Sequence, residues 1–438
     1  MRLLPPLALL AAACAALPAS AKVWTVTEAV ATALRQNPDA DAARHRIDAA
    51  QALITQADSA WLPQLSVSGG YLSSNGAMSG LMSSLAQRNF GFGLNFNRPG
   101  WVDNLNVTGT VAYNLYGGGR PSATRAAARA GTRAAEQELR AVQQQLTAEV
   151  VKAALHLRTT RESVAALEAG LAAYEANLAN ARLRFEAGQM LKADLLSLEV
   201  QAARTRELLV SARHGAALAA RAFYFVLGAE DTTEPVEFAA DDAALAALAI
   251  PDSADFTLRP ELVALTERVR AAESMVEAAR GGRRPNVNAF VSAQYDQGWR
   301  YDRHADSVQG GVTVDFNLFD AGQTSGRISQ AQAELAQAKD QLRKATLAIG
   351  LEVEQARLAH ADARERLAVT AGAVSQAEES AALSRARFEK GALLAAELIG
   401  SESRLIEARL SRTLAVADEC LARLELRRAV GLPVLAQP

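Results

Sequence analysis

Apolar positions along this chain change period, and do so twice in the same order. From Thr25 to Ala60 they recur every three or four residues, which predicts two helical segments broken at Asn37-Pro38. Thr25 with Glu28 three residues on fits a capping box, and Asp39 is placed to cap the second segment. At Pro63 the period becomes two. Leu65, Val67, Gly69 and Tyr71 then oppose Gln64, Ser66 and Ser68, and later Val107, Gly109, Val111, Tyr113 and Leu115 oppose Asn106, Thr108, Thr110 and Asn114. Residues 73–105 between them are rich in Gly, Ser and Asn and predict a long loop. After Gly117-Gly118-Gly119 the helical period returns. From Leu139 to Phe185 the apolar steps of three and four mostly alternate as a heptad seam, and a helix from Ser122 to Phe185 would be on the order of 95 Å long.

The same series then repeats. Arg184-Phe185-Glu186-Ala187-Gly188, with Asp194 six residues past the glycine, matches Arg387-Phe388-Glu389-Lys390-Gly391 with Glu397. The offset of 203 residues also links Gly228 to Gly431 and Asn114-Leu115-Tyr116 to Asn317-Leu318-Phe319. Upstream, Pro38/Pro260 and Pro63/Pro285 lie 222 apart, so the second copy is 19 residues shorter in between. This is a tandem duplication of one structural unit. Each tip reads as a helix ending at a glycine, a turn, and a helix returning over about 191–227 or 394–430. The predicted organisation is a first repeat over 22–228, an acidic linker over 229–258 with room for a short helix, and a second repeat over 259–438.

Strands recur too. Val287, Ala289, Val291, Ala293 and Tyr295 form one apolar side, and Val308, Gly310, Val312, Val314, Phe316 and Leu318 another, against Gln309, Thr313, Asp315 and Asn317. Aromatics at strand ends (Trp61, Trp101, Tyr116, Trp299, Tyr301, Phe319) suit an outer-membrane barrel, although a half-buried soluble sheet alternates as well. Closure decides what a barrel would need. Four strands cannot span a bilayer alone, because open edges leave backbone groups unpaired in hydrocarbon. Three chains would supply twelve.

Composition narrows the partners. The formal net charge of the 438 residues is −2, with no dense basic patch, which gives no footing for nucleic acid. Arg2, the apolar stretch Leu3–Leu17 and the small residues Ala19-Ser20-Ala21 predict a signal peptide cleaved after Ala21. Cys14 raises lipidation as a lesser alternative; otherwise Cys420 is the only cysteine left, in a helical pattern that predicts a small core residue. No phosphate loop, His-Glu-x-x-His or Cys-x-x-Cys site is present, and His45, His156, His214, His304 and His360 are scattered without ligand spacing. Nothing here predicts an enzyme, a metal or a cofactor.

The leader, the duplicated helical hairpin, the Asn-Leu-Tyr/Phe-x-x-Gly strand ends and the Phe-Glu-x-Gly tips together resemble the TolC-like outer-membrane factor family over residues 22–438. The resemblance implies a mainly α fold with a small β part. Duplicated long-helix hairpins would form a periplasmic α-barrel, and four strands per chain would join a shared twelve-stranded trimeric barrel in the cell outer membrane. It implies a homotrimer meeting outer-membrane lipid, a periplasmic adaptor and an inner-membrane pump, as the passive duct of a tripartite efflux or type I secretion system. Polar strand residues such as Asn114, Asp315 and Asn317 would face the lumen. The tips Arg184, Phe185, Glu186, Gly188 and Arg387, Phe388, Glu389, Gly391 would receive the adaptor. Glu397 falls where the family's first acidic gate residue is expected, with Asp194 its counterpart in the first copy; the next gate position holds Gly400, a departure. A carboxylate meeting a helix macrodipole accounts equally well for Asp194 and Glu397. From a different class, a periplasmic coiled-coil adaptor or structural spacer without a pore also fits the long helices.

Overall fold

In the computed structural model, residues 22–89, 91, 95, 97–229, 236–238 and 255–433 are described. The leader with Cys14, most of the 229–258 linker and the C-terminal tail lie outside the described residues.

The helices follow the 3.6-residue pattern. α1 (Val26–Gln36) and α2 (Pro38–Asp58) break where Asn37-Pro38 predicts. Thr25 Oγ1 accepts from the Glu28 amide at 3.1 Å, as a cap should. Asp39 does not cap α2. Asn37 does, its Oδ1 accepting from the Asp39 amide at 2.8 Å, because the residue before a proline at N1 is already extended. Then come α3 (Ala77–Ala86), α4 (Arg120–Glu186), α5 (Lys192–Leu227), α6 (Pro260–Arg280), α7 (Gln323–Glu389) and α8 (Ala395–Ala429). The seam predictions hold: α4 and α7 each run 67 residues without a break.

The strands are β1 (Lys22–Trp24), β2 (Gln64–Ser74), β3 (Val102–Tyr116), β4 (Val236–Phe238), β5 (Asn286–Gly298) and β6 (Arg303–Asp315). Two predictions need correction here. The 73–105 segment is not only loop: both flanking strands extend into it, and it contains α3. The fourth strand stops at Asp315, so Phe316, Asn317 and Leu318 lie beyond it, ahead of the Asp320–Gly322 turn. Within the linker, β4 pairs in parallel with β1, a long-range strand that local periodicity did not reveal.

The chain divides into two compact units. One comprises Met1–Asp41, Val142–Phe256 and Leu351–Pro438, the other Ala42–Ala141 and Thr257–Gly350. The first has its main core where Trp24, Val26, Ala29 and Ala33 meet Val150, Leu157, Phe223, Leu227 and Leu424. Phe223 stands edge-on to both Trp24 and Phe238, and Cys420 is buried in the same cluster. The second unit holds the four-stranded antiparallel sheet, in the order β2-β3-β5-β6.

Candidate functional site

The sheet has two unlike faces. Register places Val111 beside Leu65 and Val291, Val107 beside Tyr295, and Val308 beside Ala293, so the apolar positions of all four strands share one side. That side is open: Leu65, Val67, Val308, Val312 and Val314 are all more than 60% exposed. A contiguous apolar sheet face of this kind marks a surface built for another molecule or for lipid. The other side is polar and internally bonded. Asn114 Nδ2 donates to Asn286 and Asn288 Oδ1, each at 2.7 Å, and Asp315 lies opposite Asn286 in the register. Further along, Asp296 accepts from Asn104 at 2.7 Å, Asn106 at 3.1 Å and Gln294 at 2.7 Å, a cluster the sequence reading missed although its members alternate in the strand pattern. Asn317 lies outside this face because β6 has already ended.

In the other unit the two hairpin tips meet. Gly188 and Gly391 have φ of +72° and +73°, which glycine adopts without a Cβ penalty. Each closes its helix with the same pair of bonds: Gly188 N to Phe185 O with Gln189 N to Arg184 O, and Gly391 N to Phe388 O with Ala392 N to Arg387 O. The surroundings of the two tips differ. Phe388 is 1% exposed, packed with Leu178, Ala181, Leu198 and Leu398, whereas Phe185 is 37% exposed. Arg184, Arg387, Asp194 and Glu397 line one cleft of about 520 Å³, so both acidic candidates face the same space with two arginines. Glu397 is exposed and Asp194 half-buried, each in the first turn of its helix. Glu186, Glu389, Phe185 and Arg387 stand exposed around them.

The hairpins also carry ion pairs at matching positions. Arg182–Glu199 (3.1 Å) and Arg385–Glu402 are repeat counterparts, as are Arg206–Glu175 and Arg409–Glu378 (both 2.8 Å). Only Glu402 is buried, at 1% exposure, and Arg385 meets it with two hydrogen bonds; these, outweighing desolvation, raise the Arg385 guanidinium above its ordinary pKa. These pairs recur at the 203-residue offset, the signal that would have found them. Among the described residues no helix is long and apolar enough to cross a membrane.

Comparison with known proteins agrees with this architecture. No curated protein matches the chain in sequence. Among solved structures it is similar to CusC (17% identity, 93% of this chain and 92% of that chain, TM-score 0.80). It is also similar to the outer membrane protein VceC of Vibrio cholerae (18% identity, 93% and 96%, TM-score 0.77). A third is the CmeC outer membrane channel of Campylobacter jejuni (14% identity, 94% and 86%, TM-score 0.80). At these identities the likeness is one of fold. The model of the outer membrane efflux protein family matches residues 29–229 and 257–432, both copies of the duplication and most of the chain. With a mainly helical duplicated fold, a two-faced four-stranded sheet and that match, the chain belongs to the outer membrane efflux protein family.

Proposed function

We propose that this protein is the outer-membrane component of a tripartite efflux or type I secretion system, a passive trimeric duct from periplasm to exterior. The observation that carries this is the open sheet. Its edge strands β2 and β6 run 11 and 13 residues, and in the order β2-β3-β5-β6 each has a neighbour on one side only. An open edge is costly in lipid, so β6 of one copy pairing with β2 of the next would close three sheets into twelve strands. The exposed valine and leucine face would then meet lipid, and Asn114, Asp315 and the Asp296 cluster would line water. Asn317 would sit at the inner end of that wall.

The tips have a separate role. Arg184, Phe185, Glu186 and Gly188, with Arg387, Phe388, Glu389 and Gly391, are the surface for a periplasmic adaptor, which in turn meets an inner-membrane pump. Around a three-fold axis, Glu397 would form an acidic ring with Asp194 beside it, concentrating negative potential in a narrow opening and favouring cations. The chain is read as exported with residues 1–21 removed, then organised as repeats over 22–228 and 259–438 about the 229–258 segment. The reading includes no catalytic step and no bound cofactor.

The test is a conductance measurement in planar bilayers on wild type and Glu397→Gln, with detergent extraction and heat-modifiable gel mobility to report the trimer. Pores whose cation preference falls in Glu397→Gln support the duct and its gate. A water-soluble monomer without lipid affinity would instead support the adaptor or spacer.

A further inference from the structure

The segment between β2 and β3 holds a helix turned inside out for a water-exposed surface. Met78, Met82 and Leu85 are spaced by four and three, so they share one face of α3, and they are 70, 53 and 41% exposed. The opposite face, with Gly80, Ser83, Ser84 and, just past the helix end, Gln87, is buried. A surface helix ordinarily buries the methionines and solvates the serines.

The polar side is fastened to the sheet. Gln87 Nε2 donates to the Asp103 carbonyl oxygen at 2.6 Å and to Asn104 Oδ1 at 3.0 Å, and Arg88 Nη2 donates to the Asp306 carbonyl oxygen at 2.6 Å. The side of the sheet that α3 covers is the polar one. Asn104, Asp296 and Ala305 share that face and are only 9, 3 and 5% exposed. Met78 and Met82 look onto an open cleft of about 490 Å³ along the same face, with Asn106 and Gln294 on its other wall. The second repeat has no counterpart, since β5 and β6 are joined across residues 299–302. Each chain therefore contributes one such helix.

We propose that α3 and its copies from two further chains form an apolar constriction at the outer mouth of the duct. This rests on the trimeric-duct reading above, in which the polar sheet face lines the lumen and lipid is confined to the other side. The occupant of the methionine face is then the same face of a second copy. Three helices, each about 10–12 Å across with side chains, narrow a twelve-stranded barrel, and an apolar ring in a pore dewets readily and so resists ion flow. Methionine suits the position because its unbranched thioether repacks as the opening changes. Gln87 is the positioning residue that holds α3 over the opening.

The experiment uses the full protein reconstituted in planar bilayers, as wild type, Met78→Ser/Met82→Ser and Gln87→Ala. Serine leaves α3 anchored but wets its inner face, so single-channel conductance should rise about two-fold or more in the double variant. Gln87→Ala should raise conductance and add flicker as α3 loosens. In a Cys420→Ser background, Met82→Cys should form disulfide-linked dimers within the trimer on mild oxidation, a readout independent of current. Unchanged conductance in Met78→Ser/Met82→Ser, or absence of the cross-link, overturns the constriction. Failure of the duct reading looks different: wild type would form no pores.

Discussion

Arg184 of the first tip donates from Nη1 to the Phe388 carbonyl oxygen of the second at 2.9 Å, and its guanidinium lies 5.2 Å from the centroid of the Phe388 ring. A charge-assisted bond to a turn carbonyl and a cation–π contact thus join two hairpins of one chain. Arg184→Ala should loosen the tips by about 2 kcal/mol, read as faster proteolysis at Gln189–Leu191 and higher open probability. Arg184→Lys keeps the charge but lacks the planar fork and should recover only part of this.

The repeat-related pair, Arg387 and Phe185, is exposed within one chain. If hairpins alternate around a ring, Arg387 should reach Phe185 of the neighbouring copy as Arg184 reaches Phe388. Arg387→Ala and Phe185→Ala should each lower the temperature at which the proposed trimer dissociates on gels, with effects that do not add. Independent, additive effects would argue against the alternating arrangement.

The two copies of one ion pair should differ in cost. Removing Arg385 leaves Glu402 buried and unpaired, expected to cost about 3–5 kcal/mol, whereas Arg182→Ala beside the 38% exposed Glu199 should cost at most about 1 kcal/mol. Thermal unfolding of both variants gives the comparison. Replacing the buried pair together with Met and Leu should recover much of the loss.

Gly170 sits where α8 crosses α4. A Cβ there would fall 2.4 Å from Ile406 Cδ1 and 2.7 Å from Cγ1, too close to relieve by turning the terminal methyl alone. Gly170→Ala gains about 1 kcal/mol of helix propensity but pays overpacking of about 1–3 kcal/mol, so a net loss is expected. Ile406→Ala added to it should be less harmful than Ile406→Ala alone, and a double-mutant cycle by denaturant unfolding measures that coupling.

His360 supplies a pH dependence. Its pKa is depressed, chiefly by burial, with Arg364 and Arg423 adding to the effect and Glu419, 3.9 Å away, opposing it. The folded state therefore favours the neutral ring more than the unfolded chain does, whose histidine titrates near about 6.5. The contribution is intact above that value and is lost as pH falls toward the folded pKa. His360→Gln should lose less Tm than wild type between about pH 7.5 and about pH 5.5.

How much of this was legible in the residues follows from what local pattern encodes. The heptad seams of α4 and α7, the break at Asn37-Pro38, the tip glycines and the alternation of four strands are short-range signals, each repeated at a fixed offset. Duplication made them readable twice. Where Asp39 was expected to cap α2, Asn37 does so, because the restriction before Pro38 acts two residues earlier than the acidic pattern suggests.

Sequence alone determined the repeat, the type of most elements and the two-faced strands, because period and turn chemistry are properties of neighbouring residues. Only the tertiary structure decided that Phe388 is buried while Phe185 is open, that Glu402 is sealed beside Arg385, that β1 pairs with β4, and that α3 buries its serines and leaves its methionines exposed. Each depends on what packs against a residue from far along the chain, and the closely similar tip motifs of the two copies cannot by themselves encode the difference between Phe388 and Phe185.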